Sequence, residues 1–422
     1  MHKPSSATHG YVAFAGLLAF IGSLLVLRIY SPFDGDVISS ALFVIGCITL
    51  SIFLVDLLWG KVYLRPSTGL NFKTRNPSWS RIRIKYLGLI GTLGFVCLLY
   101  WLFPEYRNGN TYRNYFLMLD RIWAPVFLLA LIYFYWIDSY MVDPNDGYWH
   151  TGRLLLGDWS VVNWSILGQH ILGWIVKGFF LPLMFIYLCD DLNSFLKIDL
   201  SRYTNFQQWY GFLYDLVFLL DLSLVAMGYM MCFRITDTQI RSVEPTMLGW
   251  VVALLCYKPF WGFFEQHYLS YDADHPWGAW LWNYPLMYGI WGSCILVLLA
   301  IYAWSTICFG ARFSNLTNRG IITGGPYALT KHPSYISKNL SWWMVSVPFI
   351  VSTTSSEAIR HSMLLLLLNI VYALRAKTEE RHLSNDPNYV SYALWMEKNG
   401  IFRWIRSIPL ISLLSYKQKK LM

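Results

Sequence analysis

Charged side chains are scarce in this chain. Asp, Glu, Lys and Arg make up 14% of its 422 residues, whereas 56% are hydrophobic and 18% are aromatic. A soluble domain carries roughly 25% charged residues, so this composition excludes a soluble globular protein. The sequence therefore predicts a polytopic membrane protein.

Closely spaced cysteines are missing as well. The seven cysteines stand singly in or beside apolar segments and form no C-x-x-C pair, so packing roles are favoured over disulfides or metal ligands. No group of His, Asp and Glu meets a recognised ligand spacing, and we predict no metal site. The net charge of +9 is typical of a membrane protein facing anionic lipid. It gives no reason to predict a nucleic-acid partner.

Long apolar runs dominate what is present. An all-α protein with about ten transmembrane helices is predicted from runs of about 17 to 25 apolar residues. The expected spans are 11–29, 37–59, 86–103, 122–137, 167–188, 212–231, 247–264, 285–308, 335–351 and 362–374. A weak division near 239–245 separates a predicted N-terminal bundle of unknown role, 1–240, from a C-terminal unit, 241–422.

Loop charges predict the orientation. The loop after the second span carries seven basic residues and no acidic one between 61 and 85, whereas the loop after the seventh span holds Glu265, Asp272 and Asp274 without a Lys or Arg. Because Lys and Arg near span ends resist translocation, the first of these loops is predicted to be cytosolic. Ten spans then place both termini, the loop 309–330 and the tail beyond 375 on the cytosolic side.

Three short motifs in the C-terminal unit suggest a binding site. They read G-G-P-Y at 324–327, K-H-P-S-Y at 331–335 and E-E-R at 379–381. Glycines allow backbone amides to approach an anionic group closely. His332 precedes a proline, so a helix is expected to begin at or just after Pro333. Carboxylates after the last span can bind ribose hydroxyls or an ammonium group.

The order of these motifs resembles the isoprenylcysteine carboxyl methyltransferase family and its phospholipid-methylating relatives. Their signature reads G-P-Y, R-H-P-x-Y, a membrane hairpin, E-E and Y-x-x-Y, and the resemblance covers roughly 287–404, with Tyr389 and Tyr392 as the final pair. It implies an integral membrane methyltransferase that uses S-adenosylmethionine and acts on a lipid or lipidated acceptor. Two departures are Lys331, where arginine is usual, and Ser337, where glycine is common.

The resemblance also implies roles for individual residues. The implied donor pocket comprises Gly325, Pro326, Tyr327, Lys331, His332, Pro333, Tyr335, Glu379 and Glu380, and the residues expected at the reacting groups are His332, Arg375 and Glu379. Arg375 is assigned to the acceptor. A prenylcysteine carboxylate would be ionised at neutral pH and need no base, whereas a phospholipid amine would first lose a proton to Glu379, Glu380 or His332.

Two other functions remain open from the sequence. The sterol reductases have a similar C-terminal half and about ten spans, which would imply NADPH as the reductant, but this chain lacks their R-E-L-N-P-R-like segment. A non-enzymatic transporter or receptor would account for charged residues within predicted spans. These residues are Asp56, Lys177, Asp215 and Asp221.

Overall fold

The protein is built almost entirely from helices. The computed structural model describes residues 3–107, 110–267, 271, 277–350 and 354–404. The helices are α1 Gly10–Tyr30, α2 Val37–Leu58, α3 Trp79–Leu102, α4 Pro104–Arg107, α5 Arg113–Asp138, α6 Gly147–Leu155, α7 Trp164–Leu196, α8 Phe206–Met230, α9 Met247–Leu254, α10 Phe260–His267, α11 Trp277–Leu281, α12 Pro285–Ile307, α13 Pro333–Ser346, α14 Ser355–Leu383 and α15 Pro387–Asn399. Two short strands, β1 Ser242–Val243 and β2 Thr317–Asn318, pair antiparallel.

Eight of the described helices are long and apolar enough to cross a membrane, namely α1, α2, α3, α5, α7, α8, α12 and α14. The chain is therefore an all-α, multi-pass membrane protein, as predicted. Several of these helices begin at a capping side chain that accepts a hydrogen bond from an amide of the first turn, as Asp36 does for α2, Ser78 for α3 and Asn163 for α7. Such caps satisfy amides that have no partner within the helix.

The expected count of about ten spanning helices is not confirmed. The predicted span 247–264 is divided between α9 and α10, with Pro259 just before the start of α10, because proline lacks the amide that would continue a helix. The predicted span 335–351 falls on α13, which has 14 residues. At 1.5 Å per residue it covers roughly 20 Å, less than the ~30 Å hydrocarbon core.

Helix α13 runs back along α12, because Trp291 Nε1 near the start of α12 donates to the Met344 carbonyl near the end of α13 at 2.9 Å. Helices α8 and α12 run in the same direction, because Phe206 contacts Tyr288 near their starts and Tyr302 donates a hydrogen bond to Asp221 toward their ends. Helix α13 leaves the end where α12 finishes, and α14 comes back to it. We call this end, where α8, α12 and α14 finish, the site end.

Buried ion pairs hold the site end together. The Arg312 guanidinium is fully buried, and its nitrogens lie 3.9 Å from Asp56 on α2 and 3.7 Å from Asp237 after α8. Burial lowers the pKa of Arg312 to about 10, and the two carboxylates oppose that shift. Arg65 belongs to the segment 61–85, which we call the basic loop, and its guanidinium lies 3.6 Å from the same Asp237. The basic loop and the C-terminal motifs therefore lie at the same end, and the prediction that this end is cytosolic stays a prediction.

Local partners account for most of the charged residues within the spans. Asp221 accepts hydrogen bonds from Tyr302 and Thr306, Asp56 faces Arg312, and the Lys177 ammonium lies 4.6 Å from the centre of the Trp174 ring. Charged groups at membrane depth are costly unless they are paired or bonded. These contacts explain how three of the four are tolerated without requiring a transport path.

Candidate active site

The G-P-Y motif forms a tight turn against the end of α12. Gly325 begins a short 3-10 turn, Gly325–Ala328, with φ at +57°, a conformation that favours glycine. A Cβ atom at this position would lie 2.4 Å from Cys308 Sγ and 3.3 Å from Trp304 Nε1. Glycine is therefore required here for two separate reasons, its backbone conformation and its lack of a side chain.

The predicted helix start at Pro333 is confirmed. Pro333 is the first residue of α13 and His332 is its N-cap. The His332 ring stacks on Tyr335, with centroids 5.5 Å apart and planes 2° apart. Its Nε2 atom lies 3.2 Å from Glu380 Oε1. The turn thus fixes the imidazole between the start of α13 and the end of α14.

The two adjacent glutamates have different surroundings. Glu380 is buried and its carboxylate faces three basic groups, Lys331 at 2.7 Å, Lys377 at 3.0 Å and His332 at 3.2 Å. The Glu380 carboxylate therefore connects the second motif to the end of α14 through these ion pairs. Glu379 instead accepts a hydrogen bond from Tyr335 at 2.8 Å and lines a cavity.

Arg375 is enclosed by aromatic rings. Its guanidinium carbon lies 5.2 Å from the Tyr335 ring centre, 5.5 Å from that of Tyr257 and 5.8 Å from that of Tyr372, within the range of cation–π contacts. Only 8% of its surface is exposed. Among the described residues no carboxylate pairs with it, and Asn315 Oδ1 accepts its hydrogen bond at 2.6 Å. A guanidinium group can bind an anionic group through charge-assisted hydrogen bonds.

Two residues of this site lie outside the sequence motifs. Asn315 donates to the hydroxyl groups of Tyr229 at 2.9 Å and Tyr257 at 3.1 Å, which orients its amide oxygen toward Arg375. Tyr257 comes from the segment between α9 and α10, which the sequence predicts as an uninterrupted span. No local spacing marks either residue, because their contacts join segments about 60 or more residues apart.

The tail helix α15 packs on the G-P-Y turn. The Tyr392 hydroxyl donates to the carbonyl oxygens of Tyr327 at 2.7 Å and Thr330 at 3.3 Å, and Tyr389 and Tyr392 are buried with Ile321. This pair of tyrosines therefore lies over the site, as the Y-x-x-Y spacing suggests. Burial raises the pKa of the Tyr327 phenol, so its hydroxyl stays protonated at neutral pH.

A two-lobed cavity lies between these elements. The inner lobe is bordered by Tyr302 of α12, Lys338 of α13, Tyr372 and Arg375 of α14, and Tyr257 of the segment between α9 and α10. The outer lobe is bordered by loop and tail residues that include Asn318, Ile321, Ile322, Tyr389 and Tyr392. The wall common to both lobes contains Phe309, Tyr327, Lys331, His332 and Glu379.

The predicted site residues divide into two groups. Tyr327, Lys331, His332, Tyr335, Arg375 and Glu379 line the cavity. Gly325, Pro326, Pro333 and Glu380 do not line it, and act behind the wall by forming the turn, starting α13 and binding the basic groups. Ser337 is also buried behind the wall, where its hydroxyl donates to the Pro333 carbonyl at 2.8 Å.

No protein-family model matches this chain, and no curated protein or solved structure matches it either. The likeness to the membrane methyltransferases thus depends on the motifs themselves and on their arrangement around one cavity.

Proposed function

We propose that this protein is an integral membrane methyltransferase that uses S-adenosylmethionine to methylate a lipid or lipidated acceptor. One observation carries the proposal: each of the three motifs, which are separated in sequence, contributes side chains to one cavity. These are Tyr327 from the first motif, Lys331, His332 and Tyr335 from the second, and Glu379 from the third. One side of that cavity is made of membrane helices and the other of loop and tail residues. Such a cavity suits a reaction between a water-soluble donor and a membrane-bound acceptor.

We assign the methyl donor to the outer lobe. Tyr389, Tyr392 and Tyr327 offer flat, partly polar surfaces to an adenine, and the Glu379 carboxylate complements a ribose hydroxyl or an ammonium group. When bound, S-adenosylmethionine supplies an electrophilic methyl group. The residues of this chain would align donor and acceptor and exclude water, which is most of what a methyl transfer requires of a protein.

We assign the acceptor to the inner lobe. Its border of membrane helices gives access to a hydrophobic molecule, and the aromatic enclosure of Arg375 supports an anionic reacting end such as a carboxylate. Arginine can hold a carboxylate through two parallel hydrogen bonds. A carboxylate acceptor is already ionised at neutral pH, so no general base is needed.

A phospholipid amine is the second candidate acceptor. Glu379 lines both lobes, and in this alternative its carboxylate would accept a proton from the ammonium group before transfer. Transfer of labelled methyl groups to a prenylcysteine analogue and to phosphatidylethanolamine, measured side by side, separates the two. We expect Arg375→Lys to lower methylation of the carboxylate acceptor about 100-fold, since lysine lacks the planar guanidinium group that forms two parallel hydrogen bonds.

Donor binding tests the proposal directly. Calorimetry on protein purified in detergent should show saturable binding of S-adenosylmethionine and none of NADPH. Glu379→Gln should weaken donor binding, because the amide carries no charge. Glu357→Gln is the matched control, since Glu357 is a partly exposed glutamate at the other end of the same helix and does not line the cavity. Saturable NADPH binding without a response to the methyl donor would replace this proposal with a reductase.

A further inference from the structure

The segment before α1 lies against the loop that leads into the G-P-Y turn. Its backbone and side chains bind that loop at three points: Ala7 N donates to Ile321 O at 2.9 Å, Thr323 N donates to Ser6 Oγ at 3.2 Å, and Thr323 Oγ1 donates to Pro4 O at 2.9 Å. These contacts connect residues more than 300 positions apart. Residues 4–8 therefore act as a strap on the loop, and we call them the entry strap.

The entry strap is itself fixed to the rest of the site end. The Thr8 hydroxyl donates to the Phe309 carbonyl at 3.2 Å and accepts from Arg312 at 3.1 Å. Arg65, from the basic loop, donates to the Ala7 carbonyl at 2.6 Å. Ala7 also packs in a small apolar cluster with Phe309 and Tyr327. The strap thus joins the N-terminal bundle to the cavity wall.

The loop under the strap forms part of the outer lobe. Gly320, Ile321 and Ile322 border that lobe, and Gly325 begins the turn that follows. Space between loop and strap is small, because a Cβ atom at Gly320 would lie 2.8 Å from Ala7 Cβ. Movement of the strap would therefore change the position of the lobe's wall.

We infer that residues 4–8 are positioning residues for the donor lobe. Ser6 holds the loop 320–325 in the shape that accepts the donor, and Thr8 fixes residues 4–8 to Phe309 and Arg312. The inference rests on the proposed function for the identity of the donor, but the contact between strap and loop does not. It also gives the N-terminal bundle a role in the reaction, since the entry strap leads directly into α1, the first helix of that bundle.

The test compares Ser6→Ala with Ser5→Ala and Ser6→Thr. Ser5 is an exposed neighbour with no hydrogen bond in the described structure, and threonine keeps the hydroxyl at position 6. Loss of one hydrogen bond is worth about 0.5–1.5 kcal/mol, so we expect roughly a two- to tenfold rise in the dissociation constant for S-adenosylmethionine with Ser6→Ala. The Ser6→Ala, Thr8→Val double variant should show a larger rise, whereas Ser5→Ala and Ser6→Thr should match the wild type.

Hydrogen exchange of the loop separates this inference from the proposed function. Amides 321–325 should exchange faster in Ser6→Ala than in Ser5→Ala, whether or not any donor is present. Unchanged exchange would overturn the inference. Faster exchange with unchanged donor affinity, in a wild type that binds the donor, would also overturn it, because the strap would then not position the lobe. A wild type that binds no donor contradicts the proposed function, and the exchange comparison still decides whether the strap holds the loop.

Discussion

Substitution of Gly325 tests the geometry of the G-P-Y turn. Alanine at φ +57° costs about 1–2 kcal/mol, since L-residues with a Cβ disfavour this region. The new Cβ would also lie 2.4 Å from Cys308 Sγ, and overpacking of this kind costs about 1–3 kcal/mol. We therefore expect Gly325→Ala to lower the free energy of unfolding by about 2–5 kcal/mol and to reduce donor binding.

Two further variants separate the two contributions. Cys308→Ala removes the sulfur that the new methyl group would contact, so the double variant should recover the overpacking part and keep the loss of about 1–2 kcal/mol from the backbone. Gly324→Ala is the matched control, because Gly324 has φ −95° and its Cβ would meet nothing closer than 3.9 Å. The assay is unfolding of the purified variants in mixed micelles. A Gly325→Ala protein as stable as Gly324→Ala would refute the reasoning.

Two other predictions concern the imidazole and the orientation. His332→Ala should reduce methyl transfer by at least about 100-fold and lower stability by only about 1 kcal/mol, since Glu380 keeps both of its lysine partners. Equal fractional losses of activity and stability, measured on the same samples, would count against a site role. Cysteine labelling in sealed, right-side-out vesicles should leave Lys73→Cys, in the exposed basic loop, unmodified and modify Arg202→Cys at the opposite end. The reverse pattern would overturn the cytosolic assignment of the site end.

Residue pattern was enough to predict the class of fold and most of its long helices. Hydropathy reports how apolar a segment is and not whether it forms one continuous helix. The break between α9 and α10 within 247–264, next to Pro259, was therefore not predicted. For the same reason α13 was expected to be longer than its 14 residues. Proline at 259 was the available signal, since it disfavours an unbroken helix there.

The candidate site was partly predictable for a different reason. Motifs such as H-P and E-E contain residues that are close in sequence, and their local geometry follows from proline and glycine chemistry. The partners of Arg375 come from distant segments, as Asn315 and Tyr257 do, and only packing brings them together. The sequence also could not predict that Glu379 and Glu380 have different contacts. The two residues are identical and adjacent, and only the direction of each side chain from α14 distinguishes them.

The contacts of Arg312 and Arg319 have a consequence for how this protein can be dissected in the laboratory. Arg319 donates to the carbonyl oxygens of Gly228, Met231, Phe313 and Thr238, and the charged partners of Arg312 are Asp56 and Asp237.

Most of these partners precede residue 240, so a fragment that begins there would leave two buried guanidinium groups largely uncompensated. Removing one partner of a buried pair costs about 3–5 kcal/mol. A C-terminal fragment expressed by itself should consequently fail to fold. The fragments 1–240 and 241–422 produced together in one cell can re-form these contacts and restore the folded protein.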